Sequence, residues 1–146
     1  MEILLVDDSA ADAYLTKLAL TEALPNSRVH VAEDGEQALQ YLAETENYPT
    51  AMHSDLILLD LNMPRLDGLS LLSLIKAHPD YEATPVIILT TSSWSRDVDR
   101  AYQLGALKYF TKPANWQDYV ALGSAIAAVW DRWHVRASDG EAQASH

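Results

Sequence analysis

The stretch LILLDLNMP at residues 56–64 begins with four consecutive apolar residues and then meets an aspartate, Asp60. Four other short segments are candidate strands: ILLV (3–6), RVHV (28–31), VIIL (86–89) and KYF (108–110). Continuous apolar runs such as 56–59 are typical of strands that are covered on both faces, as in a parallel sheet. The alternating segment 28–31 is typical of an edge strand. The sequence therefore predicts a five-stranded parallel sheet.

Helical patterns fill the intervals between these strands, and most of them begin at a polar residue that can cap a helix. The predicted helices cover residues 10–24, 35–46, 67–78, 95–104 and 115–133. Ser9 and Asp12 have the spacing of a capping box at the start of the first helix. The alternation predicts a doubly wound α/β fold of (βα)₅ order. The domain is predicted to span residues 1–134, followed by a disordered C-terminal tail at 135–146.

Composition excludes several classes of function. The 146 residues carry a formal net charge of −11, which disfavours direct binding to nucleic acid or to anionic membranes. There is no cysteine, and no apolar run approaches the roughly 20 residues that span a bilayer. The first residues also lack the pattern of a signal peptide. These features predict a cytoplasmic protein that has no nucleic-acid or membrane partner.

Residues that can do chemistry follow the predicted strands. They are Asp7 and Asp8, Asp60, Thr90, and Lys112. In a doubly wound sheet these strand ends meet at one edge, so the three carboxylates converge and would repel one another. A hard divalent cation relieves the repulsion, and Mg²⁺ prefers carboxylate oxygens, water and phosphate. Each aspartate taken alone is equally well explained as a helix cap or turn former. The full set favours a phosphate and Mg²⁺ site.

The sequence resembles the receiver domains of two-component response regulators. The matching motifs are LLVDD (4–8), DLNMP (60–64), DG (67–68), LT (89–90) and KP (112–113). Within that family it is most similar to the small stand-alone regulators of bacterial and cyanobacterial phytochromes. The marks of this narrower group are LILLDLNMP, VIILTTS, the long connection before the third strand, and the late tryptophans. The resemblance implies a flavodoxin-like fold with strand order 2-1-3-4-5.

The resemblance also implies roles for the acidic residues. Asp60 is the expected phosphoacceptor. Asp8 and Asp60 are expected to ligate Mg²⁺ directly, Asp7 mainly through water, and Asn62 through its main-chain carbonyl. A sensor histidine kinase is the expected phosphoryl donor, and the phosphoryl group is later lost to water. The protein is then a switch that catalyses only its own phosphorylation and dephosphorylation.

Three further residues are expected to read the state of Asp60. Lys112 pairs with the phosphoryl group, Thr90 moves to form a hydrogen bond with it, and Tyr109 fills the space that Thr90 leaves. The alternative for Tyr109 is an ordinary half-buried strand aromatic. The Lys112–Pro113 peptide bond is expected to be cis and to aim the lysine inward.

Two competing functions remain at this point. A phosphatase of the dehalogenase type also uses an aspartate nucleophile with Mg²⁺, but it requires an Asp-x-Asp arrangement, and position 62 is Asn. A degenerate receiver that acts only as a protein-binding module is the second alternative.

The last predicted helix indicates self-association. Trp130 and Trp133 lie near its end, where they are expected to pass the edge of the sheet and form an exposed apolar patch. Tryptophan is enriched among binding hot spots, and symmetric dimers are the commonest oligomers. The sequence therefore predicts a homodimer that buries both indoles. The alternative is that both indoles fold back onto their own domain.

Overall fold

The five strands form one parallel sheet in the order β2-β1-β3-β4-β5, as predicted. The structure is a computed structural model that describes residues 1–46 and 53–144, with side chains as far as residue 137. The strands are β1 (Glu2–Val6), β2 (Arg28–Ala32), β3 (Leu56–Leu59), β4 (Val86–Thr90) and β5 (Lys108–Thr111). The helices are α1 (Ala10–Ala23), α2 (Gly35–Thr45), α3 (Gly68–Ala77), α4 (Ser95–Gln103) and α5 (Trp116–Ala144).

Helices cover both faces of the sheet, which explains the continuous apolar runs. Side chains alternate across a strand, so each run supplies both sides of the sheet. Leu4, Ile57 and Ile88 face one core, shared with α2, α3 and α4. Ile3 and Leu58 face the other core, shared with α1 and α5. The central strands β1, β3 and β4 are buried throughout their length.

Polar caps start the helices close to the strand ends that precede them. The Ser9 hydroxyl accepts a hydrogen bond from the backbone N–H of Asp12, three residues along. The same i to i+3 bond is made at three other helix starts, by Asp34, Asp67 and Asn115. Each cap satisfies a backbone N–H that the helix leaves unpaired. These short connections leave the carboxyl edge of the sheet open for a site.

The last helix is longer than the sequence predicts. Its backbone is helical to Ala144, past the predicted end at residue 133 and through most of the segment that was predicted to be a disordered tail. Extending an established helix needs no new nucleus, and residues such as Ala, Arg, Glu and Gln favour it. Residues 145–146 and the connection at 47–52 lie outside the described part of the chain. No helix among the described residues has the length and apolarity to cross a membrane.

Close packing joins α1 to α5 on one face. A Cβ atom built on Gly123 would lie 2.6 Å from the carbonyl oxygen of Ala19 and 3.2 Å from its side chain. Only a glycine permits that approach of the two backbones. The contact fixes the C-terminal half of α1 against α5.

Candidate functional site: an acidic cluster at the carboxyl edge of the sheet

Backbone hydrogen bonds fix the residues that follow the central strands. The N–H groups of Asp7, Asp60 and Lys112 each donate to a neighbouring strand, to the carbonyls of Ala32, Val6 and Thr90 respectively. These bonds continue the sheet ladder by one step beyond the strands. The side chains are thus carried on the most rigid part of the molecule rather than on loops.

Three carboxylates meet at this edge, as predicted. Oxygens of Asp7, Asp8 and Asp60 all lie within 4.8 Å of one another. Asp7 and Asp60 are 2% and 4% exposed, whereas Asp8 faces solvent. Burial raises the pKa of Asp7, and the nearby Asp60 carboxylate acts in the same direction, while Lys112 and the N–H of Ser9 oppose it. The cluster is therefore an electrostatically costly arrangement that needs a cation.

Lys112 is the cation that the chain itself supplies. Its ammonium donates hydrogen bonds to Asp60 Oδ2 at 2.8 Å and to Asp12 Oδ2 at 3.0 Å, and forms an ion pair with Asp7 Oδ2 at 2.9 Å. Its side chain is only 4% exposed. Burial alone would lower the pKa of Lys112, but the contacts with the three carboxylates outweigh it and raise the pKa above its ordinary value. The lysine is therefore charged at neutral pH.

The expectation of a cis bond before Pro113 is wrong. The described residues contain no cis peptide bond, so Lys112–Pro113 is trans. The trans form is intrinsically preferred, even before proline. The attraction of three carboxylates suffices to draw the Lys112 ammonium inward.

The side chain of Thr90 contacts Asp60, and both Thr90 and Tyr109 already form hydrogen bonds. The Thr90 hydroxyl donates to Asp60 Oδ1 at 2.7 Å, and the side-chain amide of Asn62 contacts the same hydroxyl at 3.4 Å. The half-buried Tyr109 hydroxyl donates to the carbonyl of Ser92 at 2.7 Å. Burial raises the pKa of Tyr109, so it stays a donor. The connection after β4 is thereby tied to β5.

Sequence reasoning missed two of these contacts. Asp12 was interpreted as half of a capping box, but the N–H of Ser9 donates to Asp7 Oδ1 and leaves the Asp12 carboxylate to Lys112. The available signal was its place in the first turn of a helix that starts at the carboxyl edge. The Ser92 carbonyl carries no signal in the sequence, because any residue offers the same acceptor.

The two late tryptophans lie far from this site. Trp130 packs against the core between the sheet, α1 and α5, and stacks on Trp133 with 5.5 Å between ring centroids. Both indoles are half-buried within the monomer, not an open patch as expected. Trp130 is covered by the core, and the two indoles cover part of each other.

A parallel (βα)₅ sheet with Asp7, Asp8, Asp60, Thr90 and Lys112 at its carboxyl edge defines the receiver class of signalling domains. Residues 3–122 match the response regulator receiver domain family, and the chain belongs to that family. It is 37% identical over 128 residues to response regulator Rcp1 of Synechocystis sp., covering 88% of this chain and 87% of Rcp1.

Solved structures agree with this assignment. The phosphorylated cyanobacterial phytochrome response regulator RcpA superposes with a TM-score of 0.79 at 36% identity, covering 88% of this chain and 92% of that one. The Mn²⁺-bound form of Rcp1 superposes with a TM-score of 0.77 at 38% identity, covering 88% and 93%. The protein is thus a receiver domain related to phytochrome response regulators.

Proposed function

We propose that this protein is a single-domain response regulator that accepts a phosphoryl group on Asp60 from a sensor histidine kinase. The observation that carries the proposal is the environment of Asp60. Its two carboxylate oxygens are held separately, Oδ1 by the Thr90 hydroxyl and Oδ2 by the Lys112 ammonium. A nucleophile and two donors for a transferred phosphoryl group are thus already assembled.

A divalent cation fits the acidic cluster. Asp7 Oδ2 is buried, and its contact among the described residues is the ion pair with Lys112 at 2.9 Å rather than a hydrogen bond of good geometry. It can therefore serve as an oxygen ligand beside Asp8 and Asp60. We propose Asp7, Asp8, Asp60 and the main-chain carbonyl of Asn62 as the residues that hold Mg²⁺. When bound, Mg²⁺ supplies positive charge that balances the phosphoryl oxygens. The existence of an Mn²⁺-bound form of the related Rcp1 supports the binding of a divalent cation by this chain.

The transfer itself needs only Asp60 and its neighbours. An Asp60 carboxylate oxygen forms a bond to phosphorus as the bond from phosphorus to the donor histidine nitrogen breaks, and that nitrogen leaves with the electron pair. Lys112 balances charge on the transferred group, and the Thr90 hydroxyl donates to it. Water later cleaves the acyl phosphate and restores the carboxylate. The protein is a switch in this scheme and has no separate substrate to turn over.

The contacts of Thr90 and Tyr109 provide the readout. Movement of the Thr90 hydroxyl with the phosphoryl group alters the space beside Tyr109, whose own hydroxyl holds the connection after β4 through Ser92. The face formed by α4, β5 and α5 then differs between the two states, and a partner protein binds one of them. Signalling therefore proceeds through phosphorylation-dependent protein–protein interaction.

The site does not favour a phosphatase of the dehalogenase type. Asn62, not a second carboxylate, lies two residues after Asp60, and its side-chain amide is turned to Thr90. A group that donates and cannot release a proton is unsuitable as a general acid. A pure binding module is also disfavoured, because such a module would not need a buried lysine that contacts three carboxylates.

Acetyl phosphate with Mg²⁺ tests the proposal. Wild type should gain a single covalent phosphoryl adduct, detected by intact mass, and Asp60→Asn should gain none. The Asn side chain has the same shape and lacks only the nucleophile, so circular dichroism and thermal melting should show an intact fold. Persistent labelling of the Asp60→Asn variant would refute the assignment. Multiple turnover of phosphate esters would indicate a phosphatase, and unlabelled wild type a binding module.

The donor is proposed to be a phytochrome-type photoreceptor kinase in the cytoplasm. Similarity to Rcp1 and to RcpA, over nearly nine tenths of this chain, supports that choice. A phosphorylated phytochrome kinase should transfer to this chain faster than an unrelated histidine kinase does, at equal concentrations. Equal transfer rates from both kinases would contradict a phytochrome-type donor but would leave the receiver assignment unchanged.

We also propose a homodimer formed through the end of α5. Trp133 lies between two open clefts, of about 570 Å³ and about 280 Å³, that a second protein surface can fill. Lys108, Arg132 and Arg136 surround the smaller cleft of a chain that is otherwise strongly acidic. An aromatic side chain with charged neighbours is a common core for an interface.

A further inference from the structure

The ammonium of Lys112 contacts three carboxylates, two through hydrogen bonds and the third, Asp7, through an ion pair. Two of these partners, Asp7 and Asp60, belong to the acidic cluster that is proposed to hold metal and phosphoryl group. The third, Asp12, lies outside that cluster, on the first turn of α1, and contacts Lys112 at 3.0 Å. Lys112 is therefore held from β1, β3 and α1 at once.

The bond to Asp12 is not a by-product of helix capping. The Asp12 backbone N–H is satisfied by Ser9, and the N–H of Ser9 is satisfied by Asp7, so neither needs the Asp12 carboxylate. Within the described residues, the hydrogen-bond partner of that carboxylate is Lys112 alone. The Asp12 side chain remains 32% exposed, so the contact is reached from the solvent side of the site.

The three carboxylate partners of Lys112 change differently when the metal binds and Asp60 is phosphorylated. Asp60 is modified, and Asp7 takes part in holding the metal, so both lose part of their attraction for the lysine. Asp12 is affected by neither event. A lysine side chain is long and flexible, and an unrestrained ammonium loses conformational freedom whenever it binds a phosphoryl oxygen.

We propose that Asp12 is a positioning residue for phosphoryl transfer, which holds the Lys112 ammonium in the site while Asp7 and Asp60 change partners. The inference rests on the proposed function, because it concerns the same transfer to Asp60. Asp12 lies in the first turn of α1, whose start is capped by the Ser9 hydroxyl, so its carboxylate is carried on an ordered turn of helix. Asp12 acts through Lys112 and does not touch the phosphoryl group.

A double-mutant cycle tests the proposal. The rate of labelling by acetyl phosphate at saturating Mg²⁺ is measured for wild type, Asp12→Ala, Lys112→Ala and the double variant. Asp12→Ala should label roughly fivefold more slowly than wild type, the factor expected for losing one partly exposed ion pair. In the Lys112→Ala background the same substitution should have no effect.

Two controls separate positioning from helix stability. Glu22→Ala removes an exposed acid of the same helix and should leave labelling unchanged. Asp12→Asn keeps an acceptor and loses the charge, so its rate should lie between those of wild type and Asp12→Ala. If Lys112→Ala labels too slowly to follow, affinity for beryllium trifluoride with Mg²⁺, measured by calorimetry, completes the same cycle.

The outcomes are distinct. Faster labelling of Asp12→Ala, or an equal loss with and without Lys112, overturns the positioning role while the phosphoacceptor assignment stands. Wild type that gains no adduct on Asp60 overturns both. A slowed Asp12→Ala whose effect vanishes without Lys112 supports the proposal.

Discussion

Lys112 lowers the electrostatic cost of burying several acidic side chains in the unphosphorylated protein. Buried charges are costly unless they are paired, and here one ammonium serves three carboxylates. The balance remains incomplete, because burial still raises the pKa of Asp7. Part of the folding free energy is therefore given up to keep a site ready for a cation.

Replacing Asp7 should reveal this cost as a dependence on pH. Because the folded pKa of Asp7 lies above its ordinary 3.8, its contribution to stability is present at low pH and is lost as pH rises through the folded pKa. Asn cannot ionise and avoids the loss. Metal-free Asp7→Asn should therefore exceed wild type in urea stability by a margin that grows as the pH rises above the ordinary pKa of 3.8.

Saturating Mg²⁺ should reverse that order. A ligand that binds only the folded state stabilises it, and wild type retains the full set of ligands. Urea titrations of both proteins with and without Mg²⁺ make the comparison. A margin that shrinks with rising pH, or a variant that gains as much from Mg²⁺ as wild type, would contradict this reading of Asp7.

The helices and strands show which features a sequence reveals. The runs at 3–6, 56–59 and 86–89 are apolar throughout because both faces of each strand are covered, so they were recognisable in isolation. The positions of Asp7, Asp60, Thr90 and Lys112 follow from the same logic, since parallel strands end at one edge. Local pattern and topology together were sufficient for these residues.

Other features depend on partners that no local pattern records. The Asp12–Lys112 contact joins residues 100 positions apart, and the hydrogen bond of Tyr109 goes to a backbone carbonyl. Residues between Tyr119 and Trp130 pack α5 against the core, but the pattern they make does not fix where the helix ends, which is Ala144. Half-burial of Trp130 likewise follows from its contact with the core, which periodicity does not give.

The glycine between α1 and α5 offers a test of how these elements pack. Gly123→Ala would place a methyl group 2.6 Å from the Ala19 carbonyl oxygen, so the helices must separate. Although alanine favours helix, overpacking should dominate and lower the free energy of unfolding by ~1–3 kcal/mol in urea titrations. Ser124→Ala, at the exposed next position, is the matched control and should change stability little. Unchanged stability of Gly123→Ala would show that the contact is loose.

The molecule has a proposed functional surface at each end of its sheet. The acidic cluster occupies the carboxyl edge, and the larger cleft beside Trp133 is lined at the opposite edge by Met1, Thr84 and Pro85. A net charge of −11 makes random association of copies unfavourable, so a dimer requires a specific apolar contact. The stacked pair of Trp130 and Trp133 is the candidate.

Sedimentation velocity should find wild type as a dimer at tens of micromolar, a range in which a modest interface still holds. The Trp130→Ala/Trp133→Ala double variant should sediment as a monomer. Trp94→Ala/Trp116→Ala removes two indoles that are exposed elsewhere, and that variant should remain dimeric. A monomeric wild type would refute the proposed dimer. Loss of the dimer in both double variants would show that dimerisation does not depend specifically on Trp130 and Trp133.

The hydrogen bonds of Thr90 and Tyr109 belong to the resting state of the switch. Both are formed while Asp60 is unmodified, so the Thr90 hydroxyl must exchange the Asp60 carboxylate for a phosphoryl oxygen when the group arrives. The free energy that Thr90 contributes to the phosphorylated state is therefore the difference between two hydrogen bonds and not the whole of one. The same bond opposes spontaneous activation, because Thr90 cannot leave Asp60 without losing the acceptor of its buried hydroxyl.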